Sequence, residues 1–238
     1  MKKLLVLALA LSPVVLISQA SLDDLKFNVF QNLNSTANQN YIRLMNEQER
    51  GEEGTQSFLF YNWQKATVTS KNDEILELDS LNYHIEDQNM FFMHKGKMYF
   101  LFPSVIENIS VADRNFMSLH VKDKERAHNP YQFYEILVKG ELNLLKKHEI
   151  EKRKVNDHPM GISSGIEKYD YYSKSKLYYA NDELSVVEEL PRSKKNIIKI
   201  FKRNRNRMVE YARENNASPK SESDMVGMFS YYNSIKSK

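Results

Sequence analysis

Between Ser57 and Lys154 the chain is divided into short apolar and aromatic runs that are separated by turn-forming residues. Runs such as NMFFMH, KMYFLF and YQFYEILVK alternate with breaks such as Lys95-Gly96-Lys97. This punctuation is typical of an antiparallel meander, and the lack of helical crossovers disfavours a parallel α/β sheet. We therefore predict an α+β fold, in which an antiparallel β-meander curls into a sheet roll or small barrel and a C-terminal helical hairpin follows.

The pattern within the runs supports strands. Leu142 and Leu144 alternate with polar residues, as expected where every second side chain points to the same face. In the run ILELDSLNY (75–83) the apolar positions change register at Asp79 and Ser80. This change predicts a β-bulge near those two residues.

The first twenty residues have the pattern of an export leader. Lys2 and Lys3 precede the apolar stretch 4–17, and small residues surround a cleavage point after Ala20. That stretch is 14 residues long, whereas a spanning helix needs roughly 20 apolar residues. We predict a signal peptide over 1–20 and an exported protein, periplasmic or secreted, with no transmembrane helix in the mature chain.

The chain contains no cysteine. This excludes disulfides, thiol catalysis and cysteine-based zinc sites, although disulfides form readily in exported proteins. The mature protein must then be stabilised by a hydrophobic core. We divide it into a polar N-terminal arm (21–56), an antiparallel β domain (57–154), a loop with a tyrosine-rich hairpin (155–190) and a C-terminal helical hairpin (191–238).

Positive charge is concentrated near the C-terminus. Segment 192–213 holds nine Lys or Arg residues and one acid, which gives it a net charge of +8. The whole chain carries +3, so loss of Lys2 and Lys3 leaves +1, and the remainder of the mature chain carries −7. Such polarisation indicates either an electrostatic partner or a basic helix that lies against the protein's own acidic surface.

Segment 193–215 predicts one amphipathic helix, with Ser193 as its N-cap, and Ser221 caps a second helix. Apolar residues fall within one half of the first helix: Ile197, Ile198, Ile200, Phe201, Met208, Val209, Tyr211 and Ala212. The candidate interaction face on the opposite half consists of Lys195, Lys199, Lys202, Arg203 and Arg207. A packing helix with a solvated cationic face is the simplest interpretation. An interfacial membrane helix and contact with anionic surface polymers are the alternatives, whereas no nucleic acid is expected for an exported protein.

Tyrosines are concentrated in EKYDYYSKSKLYYA (167–180), which predicts a further hairpin. Adjacent rings on a strand point to opposite faces, so one set packs inward while the other meets solvent. Exposed aromatic rows bind sugars or peptides in some proteins. The candidate aromatic platform consists of Tyr169, Tyr171, Tyr172, Tyr178 and Tyr179.

Catalytic and metal-binding patterns are weak. GISSG (161–165) matches the nucleophile motif of α/β hydrolases, but no histidine follows Ser163, and His158 is the last in the chain. None of the six histidines has the spacing of a metal-binding pair. We assign no catalytic, cofactor-binding or metal-binding residue.

Several stretches together resemble a broad family of exported bacterial proteins of unknown function, from organisms with two-membrane envelopes. They are FLFYNWQKATVTS, FPSVIENISVADRNFM, FYEILVKGELNLLKK, LPRSKKNIIKIF and the terminal YYN. The resemblance covers about residues 57–234 and implies a β-rich domain with a helical tail, but no catalytic residue.

The sequence favours an exported, non-catalytic, envelope-associated protein that serves as an interaction or accessory module. Its expected partner is an envelope protein or an anionic surface polymer. Two alternatives stay open: a hydrolytic enzyme whose site is assembled only in the fold, and a sugar- or peptide-binding module that uses exposed tyrosines.

Overall fold

The structure is a computed structural model that describes residues 42–44, 57–120, 131–154, 169–181, 187–202 and 204–235. Within these residues the strands are β1 (Ile42–Leu44), β2 (Gln64–Ser70), β3 (Ile75–His84), β4 (Asn89–His94), β5 (Lys97–Leu101), β6 (Ile106–Val111), β7 (Arg114–His120), β8 (Tyr131–Val138), β9 (Leu142–Lys154), β10 (Tyr169–Asn181) and β11 (Val187–Glu189). Three helices follow: α1 (Lys194–Ile200), α2 (Arg205–Glu214) and α3 (Glu222–Ser234). The predicted α+β fold is confirmed.

The strands form one antiparallel sheet in the order β1-β5-β4-β3-β2-β6-β7-β8-β9-β10-β11. Strands β2 to β5 form a meander, β6 returns to pair with β2, and β6 to β11 form a second meander. Within the described residues β1 and β11 each have a single neighbour. The sheet is therefore open, and the small barrel that we offered as one form of the fold does not close.

The turn between β4 and β5 shows how the predicted breaks work. His94 pairs with Lys97, so only two residues form the loop. Both have positive φ, 49° at Lys95 and 74° at Gly96. This is the backbone of a type I′ turn, whose twist matches that of a hairpin and in which glycine is favoured.

The predicted bulge is confirmed. Ala66 of β2 pairs with Leu78 of β3, and Gln64 pairs with Leu81. Two residues of β3, Asp79 and Ser80, therefore lie opposite a single residue of β2. The extra residue returns the apolar side chains of β3 to the core face.

The sheet curls around a first core. Its fully buried members include Val68, Leu81, Phe92, Ile109 and Phe116. The turn after β3 reaches β9: the Gln88 side-chain amide donates a hydrogen bond to the His148 carbonyl over 2.6 Å. Because β3 and β9 are five positions apart in the sheet, this contact requires a strongly curved sheet.

A second core joins the helices to the far end of the sheet. Leu142 and Leu144 of β9 pack in a cluster with Ile197, Met208 and Phe229 of the helices. Farther along the same face of β9, Ile150 packs against the first core. Strand β9 therefore contributes to both cores.

The predicted continuous helix over 193–215 is interrupted. It ends at Ile200, Phe201 leaves helical geometry with ψ of 63°, and α2 begins at Arg205. The interruption directs the Phe201 ring into the second core, 5.2 Å from the Phe229 ring and 5.1 Å from the Tyr232 ring between centroids. The C-terminal region therefore has three helices instead of the two that we predicted.

Both predicted caps are confirmed, because Ser193 and Ser221 accept hydrogen bonds from the first-turn amides of α1 and α3. None of the helices formed by the described residues combines the length and the apolar character that a membrane crossing needs. Segment 167–180 is not a hairpin by itself: residues 169–181 form the single strand β10, which pairs with β9 before it and β11 after it.

Candidate functional site

A group of basic side chains covers the outer side of α1 and α2. We define the cationic surface as Lys195, Lys199, Lys202, Arg205 and Arg207, all of which are exposed. Four of them belong to the predicted interaction face, and the fifth predicted residue, Arg203, lies outside the described residues. Arg205 is not one of the five predicted residues, but its side chain also reaches solvent.

The apolar half of the same helices is buried, as predicted. Ile197 is 1% exposed, and Phe201 and Met208 are fully buried. Val209 is the exception, since half of its surface is exposed. Because the helix is interrupted between α1 and α2, the angular positions of residues on α2 do not continue those on α1. A projection that treats both as one continuous helix therefore places Val209 wrongly on the buried half.

The described residues place no carboxylate against the cationic surface. Within the part of the chain that the structure describes, none of its five residues has a carboxylate oxygen within 4 Å. Lys194 differs, because its ammonium group donates a hydrogen bond to the Ala212 carbonyl over 2.9 Å and so joins α1 to α2. The sequence left open whether the basic helix lies against an acidic surface of its own, and the described ion pairs contain no such contact for these five residues.

The five candidate tyrosines all lie on β10. Tyr172 is 45% exposed. Tyr178 packs edge-on against Tyr134, with ring centroids 5.3 Å apart, and Tyr179 packs against the second core. The structure describes three side chains of this set: Tyr172 is open to solvent, whereas Tyr178 and Tyr179 are held in packing contacts. For Tyr169 and Tyr171 it gives only the backbone pairing of β10 with β9.

The Tyr179 hydroxyl is also held by an acid. It donates a hydrogen bond to the Glu188 carboxylate on β11. Burial, together with that hydrogen bond and the negative charge of Glu188, raises the pKa of Tyr179 to about 12. The hydroxyl is therefore neutral throughout the physiological range.

One polar cluster on the core face of the sheet was not predicted from the sequence. The Nε2 atom of His148 on β9 lies 2.6 Å from a carboxylate oxygen of Glu135 on β8. Arg114 on β7 approaches the same oxygen at 3.5 Å. A lone acid within the apolar run YQFYEILVK was the signal that could have pointed to this cluster.

Glu135 is ionised in this cluster. Burial raises the pKa of its carboxyl, but the hydrogen bond and charge of His148, with the charges of Arg114 and Lys146, outweigh burial and lower it below the usual value. A general acid or base must reach a substrate proton, yet Glu135 and His148 are only 7% and 5% exposed. The cluster therefore acts to fix neighbouring strands.

The weak catalytic motif lies elsewhere in the chain. Ser163 and His158 are outside the described residues. The described ranges bring together no group of three or more His, Asp or Glu side chains that could hold a metal ion.

Comparison of the chain with family models, curated proteins and solved structures finds no match. The resemblance to exported bacterial proteins therefore stays a prediction. The cationic surface is the candidate functional site on structural grounds alone.

Proposed function

We propose that this protein is an exported, non-catalytic binding module of the bacterial envelope, and that its cationic surface holds an anionic surface polymer. One observation carries the proposal: five exposed cations project from α1, α2 and the link between them, the apolar side of this segment is buried, and no described carboxylate lies within 4 Å of the cations. A site of this kind attracts ligands that carry many negative charges.

The burial of the helices favours a polymer over a lipid surface. An interfacial membrane helix inserts its apolar face between lipids. Here Phe201 and Met208 are fully buried inside the protein, so that face is already occupied.

A polymer is also favoured over a protein partner. The centre of a protein interface is depleted in charge and rich in aromatic or other apolar side chains. Among the described residues of α1 and α2, Val209 is the one large hydrophobic residue that is exposed. A surface with many cations and little apolar area suits a flexible polyanion.

The test is retention on an immobilised anionic polysaccharide such as heparin, eluted with rising salt. Changing Lys195, Lys199 and Lys202 to Gln should lower the salt concentration needed for elution, because fewer counterions are displaced on binding. The matched control changes Lys95, Lys97 and Lys139, three exposed lysines of the β-sheet turns. Equal elution of both triple variants would show that net charge, rather than the cationic surface, causes retention.

A further inference from the structure

A cleft of about 270 Å³ lies between the β10–β11 hairpin and the loop that leads into α3. Its walls are formed by 174–177, 189–192 and three residues of the loop and the start of α3: Pro219, Lys220 and Glu222. Small-molecule pockets in proteins have volumes of roughly 300–1,000 Å³. The cleft lies just below this range, so it suits one small ligand or one unit of a polymer rather than a larger molecule.

Three of the charged residues around the cleft are already paired. Lys174 lies 3.4 Å from Glu151, and Lys176 lies 3.1 Å from Glu149. Glu222 is paired with Lys146 over 2.9 Å. These ion pairs fix the walls of the cleft to neighbouring strands. The charges of the three paired residues are therefore largely neutralised and contribute little to the binding of a ligand.

Three other charged residues of the cleft have no ion pair with any described residue. Arg192 and Lys220 are exposed, and neither has a carboxylate within 4 Å among the described residues. Glu189 has no ion pair within that distance either. The pKa of Lys176 is raised chiefly by its hydrogen bond with Glu149, and the charge of Glu189 adds to this. The cleft thus offers two cations and one carboxylate to a ligand.

The cleft is built on a rigid apolar base. Leu190 is buried, and its amide donates a hydrogen bond to the Leu177 carbonyl over 2.8 Å. Pro191 and Pro219 add apolar surface and restrict the backbone on either side. A site that is already ordered loses less entropy when a ligand binds.

We propose that this cleft binds an acidic sugar unit. The sugar carboxylate would accept hydrogen bonds from Arg192 and Lys220, a ring hydroxyl would donate to Glu189, and the C–H face of the ring would pack on the prolines and Leu177. Glu189 would repel a compact ligand that is charged on all sides, such as inorganic phosphate. A ligand with one acid group and several hydroxyls satisfies all three residues.

The inference rests on the proposed function, because it names the repeating unit of the polymer that the cationic surface holds. Arg192 lies two residues before α1 and three before Lys195. A polyuronate with one unit in the cleft can therefore continue along α1 and contact the cationic surface.

The test is isothermal titration calorimetry of the full mature chain with trigalacturonate. The wild-type protein should bind it, whereas the neutral galactose trimer and inorganic phosphate should bind far more weakly. The double variant Arg192→Gln with Lys220→Gln should bind trigalacturonate about tenfold to a hundredfold more weakly, because charge-assisted hydrogen bonds are lost. The control, Lys95→Gln with Lys97→Gln, removes the same charge from the exposed β4–β5 turn, outside both proposed binding surfaces, and should leave this affinity nearly unchanged.

Glu189→Gln supplies a second, independent readout. It should weaken the binding of trigalacturonate, because the sugar hydroxyl loses a charged hydrogen-bond acceptor. It should strengthen the binding of phosphate, because the negative charge that repels phosphate is removed. The inference is overturned if the wild-type protein does not bind trigalacturonate, if the neutral trimer binds equally well, or if the cleft and control variants bind it alike. Those results are separate from the retention of long polymers, which tests the cationic surface.

Discussion

At the scale of single residues, the side-chain amide of Asn233 on α3 bonds to the backbone of Leu142 at the start of β9, as a neighbouring strand would. Its oxygen accepts a hydrogen bond from the Leu142 amide over 3.1 Å, and its nitrogen donates to the Leu142 carbonyl over 3.0 Å. A Cβ atom at Gly140 would lie 2.4 Å from this side chain. Glycine at 140 and asparagine at 233 therefore form one contact, which seals the start of β9 against the last helix.

Asn233→Ala should destabilise the protein by about 1–3 kcal/mol, because two half-buried backbone groups lose their partner. Asn233→Asp should be nearly as harmful, since the carboxylate cannot donate to the Leu142 carbonyl. Urea denaturation at neutral pH measures the free energy of unfolding. Asn206→Ala is the control: this exposed residue of α2 should tolerate the change, and an equal loss there would contradict the role of Asn233.

At the scale of elements, the cluster of Glu135, His148 and Arg114 ties β7, β8 and β9 together. Short apolar runs between turn residues predicted these strands, and the alternation at Leu142 and Leu144 supported β9. The pairing of Glu135 with His148 was not predictable, because it runs diagonally between strands and depends on their register. Prediction from the sequence has the same limit for the helices. The amphipathic pattern predicted which side of α1 is buried, but it did not predict the interruption at Phe201.

This cluster predicts a loss of stability in acid. The pKa of Glu135 is lower in the folded protein than in the unfolded chain, so its contribution is present above the unfolded pKa and disappears as pH falls through the folded one. Glu135→Gln should cost about 3 kcal/mol at neutral pH and should flatten the acid part of the profile. Urea denaturation across acidic pH measures both. Glu86→Gln, at an exposed turn, is the control, and an unchanged acid profile in Glu135→Gln would refute the assignment.

At the scale of the whole molecule, the two larger of the three described apolar cores share one curled sheet. Alternation in the sequence predicted that Leu142 and Leu144 lie on one face, and the bulge at Asp79 and Ser80 was also predictable. The curl was predicted, but the contact of Gln88 with His148 and the cleft around Arg192 and Lys220 were not. Each joins residues that are distant in the chain, so only tertiary packing brings them together.

Because β9 belongs to both cores, the β and helical regions should unfold together. Phe201→Ala should cost about 3–5 kcal/mol. The loss should appear equally in the fluorescence of Trp63, the single tryptophan, and in helical circular dichroism. Val209→Ala, at a half-exposed site, should change the free energy of unfolding by less than about 0.5 kcal/mol. A midpoint that shifted in circular dichroism but not in fluorescence would mean that the cores unfold separately.

The open sheet has a further consequence for how other molecules approach it. Its outermost strands, β1 and β11, are three residues long as described, and β11 carries Glu188 and Glu189 and is soon followed by Pro191. Short, charged edge strands of this kind hinder pairing with a strand of another chain, and they therefore hinder fibre growth. Recognition by strand donation is thereby discouraged, which fits the proposed capture of a polymer by basic side chains.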